Sequence, residues 1–230
     1  VTSEVAKLSP AAQVSAVDSD VRSGGLFIVF EGGDGAGKTT QVTRLAASLT
    51  DAGLAHVLTR QPGGTDIGRQ IRQILLDPGN VDFADRAEAL LYAADKAQHV
   101  AQLICPALAA GEIVISDRYV DSMLVYQAAG RGLALDEMRQ LNDWATGGLV
   151  PDLTVLLDVD PAEAVDQKAA KDRLEAAGSG FHARVRAGFL ELASQNEERY
   201  LVLPARDSID SIAARIRARL AAQFGLPLTQ

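Results

Sequence analysis

The stretch "LFIVFEGGDGAGKTTQVTRLAASL", Leu26 to Leu49, sets a glycine-rich turn between an apolar, β-branched run and a segment of helical periodicity. Gly32, Gly37, Lys38 and Thr39 fit G-x-x-x-x-G-K-[ST], and they lie where that pattern acquires its mechanism, between a strand and a helix. Glycines let backbone N–H groups turn inward around phosphates, and the N-terminus of the following helix adds roughly half a positive charge. The cradle therefore comprises Gly32, Gly33, Asp34, Gly35, Ala36, Gly37, Lys38, Thr39 and Thr40. In it Lys38 would reach the β- and γ-phosphates, and the Thr39 hydroxyl would hold Mg²⁺.

Outward from this loop the same rhythm repeats. Apolar runs at "LFIVFE", "AHVLTR", "EIVISD", "LTVLLDV" and "YLVLPA" alternate with helical stretches. The pattern predicts an α/β protein, a parallel sheet of five strands with helices on both faces. Helices are expected over Lys38–Ala52, Asp66–Leu76, Ala84–Ala110, Asp121–Ala129, Leu135–Thr146, Pro161–Ala170, Gly180–Arg199 and Ser208–Phe224. Pro106 should kink or end the third of these. Ile209, Ile212, Ile216 and Leu220 give the last a core-facing stripe.

The chain has 230 residues, which suits one sizeable core. Residues 1–25 read as an extension outside that core, and Val1 in place of Met as the mark of a trimmed chain or one cut from a longer polypeptide. A formal charge of -8 disfavours general binding to nucleic acid or anionic membranes, so any anion site must be local. The single Cys105, ahead of Pro106, permits no intramolecular disulfide and reads as a small core residue. With no long apolar run and no secretory signal near the start, the reading is of a cytoplasmic protein.

A second constellation lies in "IVISDRYVDSMLVYQAAGRG". It puts Asp117 and Arg118 at the carboxyl end of a strand, where ligands bind in open parallel sheets. Asp117 would approach Mg²⁺ directly or through water, and Arg118 would hold a phosphate in its fork of N–H donors.

With these motifs in place, and with "TRQPGGTDIGRQIRQILLD", "LLYAADKAQHV", "PDLTVLLDV" and "DRLE" followed by "FHARVRAGFLELA", the chain resembles the thymidylate kinase family from Leu26 to about Phe224. The resemblance implies a P-loop NTPase fold of the nucleoside monophosphate kinase type, three layers α/β/α with a short lid, in a kinase domain over residues 26–226. It implies transfer of the ATP γ-phosphate to dTMP with Mg²⁺, and a homodimer. Asp34 would lie near the acceptor sugar and phosphate, with Arg72 and Arg118 on the dTMP 5′-phosphate. Tyr92 would stack on thymine, and Tyr126 and Gln127 would line the sugar and base. The charged stretch Gln167 to Gly180, which reads as mobile, corresponds to the lid.

Departures fall mostly in the lid and the acceptor pocket. Gly35 leaves the phosphate loop without an arginine, and for family members of that kind the resemblance implies that the lid supplies the catalytic cation, yet this lid offers only Lys168, Lys171 and Arg173. A lysine is a point charge and cannot bracket two oxygens as arginine does. Lys96 stands where arginine is usual near the thymine carbonyl, and Met123 where a small polar residue meets the base edge. Gln61 and Arg69 replace acidic residues. Two readings follow: an active thymidylate kinase, or a diverged P-loop kinase acting on another nucleotide or serving as a weakly active regulatory or fused module.

Overall fold

The computed structural model describes residues 24–80, 82–161 and 178–228. Its strands are β1 (Leu26–Gly32), β2 (His56–Arg60), β3 (Ile113–Asp117), β4 (Leu153–Asp158) and β5 (Tyr200–Pro204). They form one sheet in the order β2-β3-β1-β4-β5. Every pairing is parallel, with Phe30 opposite Asp117 and Val155 where β1 meets β3 and β4.

The helices are α1 (Lys38–Asp51), α2 (Asp66–Leu76), α3 (Asp85–His99), α4 (Cys105–Ala109), α5 (Val120–Met123), α6 (Leu135–Thr146), α7 (Ser179–Ser194) and α8 (Ile209–Phe224). Strand alternation sends neighbouring side chains to opposite faces. Ile28 and Phe30 pack with Leu45 and Leu49 of α1 and Ile212, Ile216 and Leu220 of α8. Phe27 and Val29 pack instead with Val100, Ile104 and Leu108. With both faces covered, β1 has no polar side and is apolar almost throughout, as buried parallel strands are.

The connection leaving β1 runs to one side of the sheet and the connection leaving β3 to the other, although these strands are neighbours. Their carboxyl ends therefore part to form the crevice in which open α/β sheets bind ligands.

Four local expectations change. The third helix does not stop at Pro106: α3 passes through a π-helical turn, Val100–Ile104, into α4. Pro106 falls in the first turn of α4, where a missing N–H costs least. The stretch expected as a helix over Asp121–Ala129 begins at Val120 and widens into a π turn over Leu124–Gly130. Leu124 to Ala128 are all buried there, between α6 and α7, so no single 3.6-residue stripe describes them. Helix α7 ends at Ser194, before the expected Arg199, because the chain reverses into β5 through turns in which the Asn196 and Tyr200 N–H groups donate to Ala193 and Glu197 carbonyls. On α8, Ile209 is half exposed beside the Ser208 cap, leaving the core stripe to the residues after it.

Cys105 is half-buried rather than buried. Residues 1–23 of the expected extension, and nearly all of the expected helix Pro161–Ala170, lie outside the described residues. Among the described residues no helix is long and apolar enough to cross a membrane. Leu90 of α3 and Trp144 of α6 are exposed and border a shallow apolar groove with Ala94 and Leu141.

Candidate active site

Gly32 ends β1 at φ 134°, and a Cβ there would stand 2.4 Å from the Leu157 carbonyl oxygen of β4. Only glycine lets the loop turn this close to the neighbouring strand. The loop then enters α1 through Gly37, with no side chain capping the first N–H groups and no acidic residue in the first turn. Those donors and the positive end of the helix dipole remain available to an anion. The Lys38 ammonium donates to the Gly32 and Gly33 carbonyls at 3.0 and 2.8 Å, folded back over the loop. Burial, reinforced by the Arg118 guanidinium, lowers its pKa to about 8.

Across the crevice Arg118 leaves β3 in the left-handed region, at φ 73°. Its N–H donates to the Phe30 carbonyl at 2.9 Å, and the Ser116 hydroxyl donates to its carbonyl at 2.8 Å. This strained turn, uncommon for a side chain with a Cβ, aims the guanidinium into the crevice. There Nη2 donates to Asp34 Oδ1 at 2.8 Å and Nη1 to Ser122 Oγ at 3.1 Å, with the Tyr126 ring centroid 5.2 Å away. Burial would raise the Asp34 carboxyl, but Arg118 and then Lys38 outweigh it and hold the pKa below the ordinary value.

Glu31, fully buried beneath this junction, was not singled out by sequence. Its carboxyl accepts from the Tyr119 N–H at 2.8 Å, the Ser122 N–H at 3.2 Å and the Ser122 hydroxyl at 2.6 Å. Burial first, and then Asp121, push its pKa up to about 7. Asp121 in turn accepts from the Tyr200 hydroxyl at 2.5 Å. The signal in the sequence was a charged residue closing an apolar strand; what it holds lies about 90 residues away and is invisible without the fold.

The acceptor side is built by α3 and the turn after α5. Tyr92 and Lys96 lie one helical turn apart, with the Lys96 ammonium 5.6 Å from the Tyr92 ring centroid. Burial lowers the Lys96 pKa to about 8. Met123 and Tyr92 belong to one apolar cluster, and Gln127 follows a turn after Met123. Arg72 donates to the Pro62 carbonyl at 2.9 Å and packs its chain on Gly63.

Farther along α3, Asp95 Oδ1 accepts from the Gly63 N–H at 2.9 Å, and His99 Nε2 lies 2.6 Å from the Thr59 hydroxyl. A Cβ on Gly64 would come within 2.4 Å of that His99 nitrogen, so the close approach requires glycine. Burial, with Lys96 adding to it, lowers the His99 pKa to about 4. An unfolded His99 takes up its proton near the ordinary 6.5, whereas the folded one waits until about 4. Stability from this residue is therefore present above pH 6.5 and lost as pH falls toward 4. We expect the stability advantage of the wild type over His99→Gln to shrink by on the order of 3 kcal/mol across that window. Denaturant melts at pH 8 and pH 4 test this, and parallel curves would refute it.

All the sequence-derived site residues among those described line one cleft of about 940 Å³: the loop from Gly32 to Thr40, Arg72, Tyr92, Lys96, Asp117, Arg118, Met123, Tyr126 and Gln127. Lys168, Lys171 and Arg173 lie outside the described residues. The cleft also includes Arg186 of α7, which sequence reading did not select. Arg186 grips Asp158 through two hydrogen bonds of 2.7 and 3.0 Å and Asp160 through one of 2.7 Å. Nothing in local sequence links an arginine to acidic residues 26 and 28 positions away.

For a divalent ion the donor set is of the right kind. Asp117 Oδ1 is buried without a hydrogen-bond partner, and the Thr39 hydroxyl opens on the same cleft. Hard oxygen donors of this sort suit Mg²⁺.

A parallel sheet in this order, with a phosphate loop after its central strand and a second cationic wall facing that loop, defines a P-loop nucleoside monophosphate kinase fold. Residues 30–216 match the thymidylate kinase family model. The chain is 57% identical to the thymidylate kinase of Cutibacterium acnes over 86% of this chain and 97% of that one. It is 54% identical to that of Bifidobacterium longum over 84% and 96% respectively. The crystal structure of thymidylate kinase from Ehrlichia chaffeensis superposes with a TM-score of 0.71 at 33% identity, covering 86% of this chain and 99% of that one. The chain belongs to the thymidylate kinase family.

Proposed function

We propose that the protein transfers the γ-phosphoryl group of ATP to dTMP, giving dTDP and ADP. The observation that carries this reading is the Asp34–Arg118 contact of 2.8 Å. It joins the phosphate loop to the opposite wall inside one cleft that also holds Tyr92, Lys96 and Gln127. A phosphate-loop switch has no need of such a second wall; an enzyme that brings two phosphates together does.

In this reading the loop N–H groups and Lys38 hold the donor phosphates, and Arg118 and Arg72 hold the acceptor 5′-phosphate. An acceptor oxygen forms the new P–O bond to the γ-phosphorus while the bond to the β–γ bridging oxygen breaks, and ADP leaves. Asp34, kept ionised by Arg118 and Lys38, fixes the guanidinium that faces the acceptor. Thr39 and Asp117 are the residues that would hold Mg²⁺. Held there, the ion would neutralise charge on the donor phosphates. Tyr92 offers its ring to the base; such stacking is worth about 1–3 kcal/mol per base in nucleic-acid binders.

An acceptor panel tests the reading. With Mg-ATP the protein should phosphorylate dTMP in preference to dUMP, dCMP, dGMP and AMP. The single methyl that separates dTMP from dUMP should contribute about 10- to 200-fold in kcat/KM. Normal ATP binding without turnover of dTMP would overturn it.

A further inference from the structure

Glu88, Tyr92 and Lys96 recur at intervals of four along α3 and so share one face of that helix. Opposite them Gln127, 1% exposed, donates from Nε2 to Glu88 Oε1 at 2.8 Å. Glu88 is itself fully buried, with Arg131 donating from Nε to Oε1 and from Nη2 to Oε2, each at 3.5 Å. Arg131 lies over the Phe181 ring at 5.3 Å, which anchors it from the other side. A carboxylate has acceptors only, so an amide beside it must turn its NH₂ toward it. With the NH₂ turned to Glu88, the Gln127 amide oxygen lies on the side away from the carboxylate.

We propose that Glu88 is a positioning residue for base selection, setting the sense of the Gln127 amide. The floor of the acceptor pocket then presents the Lys96 ammonium, which only donates, and the Gln127 carbonyl, which only accepts. That pair matches the edge of a 4-oxo pyrimidine, whose O4 accepts and whose N3–H donates. A 4-amino pyrimidine carries the reverse pattern, an NH₂ and a bare N3, and meets like against like at both atoms. Selection against cytosine thus depends on a residue one layer behind the surface that touches the base. The inference rests on dTMP being the acceptor.

Replacing Glu88 by Gln lets residue 88 accept or donate, and the Gln127 amide loses its fixed sense. Glu88→Gln should lower kcat/KM for dTMP about tenfold, chiefly through KM, without lowering that for dCMP, so the ratio between them falls by at least that factor. Calorimetric affinities for the two monophosphates should move the same way. Gln127→Met removes the amide and should erode the ratio by a similar factor, and adding Glu88→Gln to it should erode the ratio no further. A purely structural role for Glu88 would instead lower both acceptors equally. An unchanged ratio in Gln127→Met, or equal losses in a folded Glu88→Gln, overturns the proposal. Absence of dTMP turnover by the wild type would overturn the functional reading instead, and the calorimetric comparison separates the two failures.

Discussion

Arg118→Ala should lower kcat/KM for dTMP about 10³-fold while the protein stays folded. The guanidinium is mostly buried, and it is tied to Asp34 at 2.8 Å with Ser122 at 3.1 Å. Its removal takes the fork of donors from the acceptor phosphate, and losing a preorganised donor to transition-state charge costs about 10²- to 10³-fold. Arg118→Lys keeps the charge but not the planar fork and should recover only about tenfold of the loss. The backbone supplies a control. Because residue 118 sits at φ 73°, Arg118→Gly relieves the strain that Arg118→Ala retains. The glycine variant should therefore be the more stable of the two and equally inactive. Steady-state kinetics alongside thermal melts measure both quantities. Activity of Arg118→Ala within tenfold of wild type would end the assignment.

For Lys38→Met the expectation is a fall in kcat of about 10²- to 10³-fold, the scale of losing one preorganised donor to charge that develops in the transition state. The hydrogen bonds of Lys38 go to the phosphate loop and not to the acceptor wall, so KM for dTMP should change little. The ammonium now rests on the Gly32 and Gly33 carbonyls, at 3.0 and 2.8 Å. A bound donor nucleotide offers it phosphate oxygens in their place, so ATP affinity should weaken as well. Single-turnover measurements separate the two effects. A variant that binds ATP more weakly but keeps its kcat would make Lys38 a binding residue alone.

What the sequence disclosed follows the distance over which each feature is determined. The phosphate loop was legible because its chemistry is local: a strand, spaced glycines, a lysine and a hydroxyl within one short segment. The five strands were legible because a sheet covered on both faces leaves continuous apolar runs. Glu31 was not, since its partners Tyr119 and Ser122 come from another crossover. Arg186 was not, because its acids lie at the end of β4 while it rides on α7. The π turn at Leu124–Gly130 escaped for a different reason. Periodicity assumes one buried face, and a segment enclosed on most sides carries no stripe to read. Family resemblance filled part of this gap at Tyr92, Tyr126 and Gln127, but it gave no hint that Glu88 stands behind Gln127.

The chain's single tryptophan, Trp144, is 81% exposed on α6, whereas all four tyrosines are buried. Optical signals therefore divide by location. Unfolding carries that indole from water to water, so its emission is a poor gauge of denaturation. The tyrosines, three of which line the cleft, report on the core and on nucleotide binding. Indole emission instead reads the α3–α6 face, and a blue shift that grows with protein concentration would register a surface settling over Leu90 and Trp144.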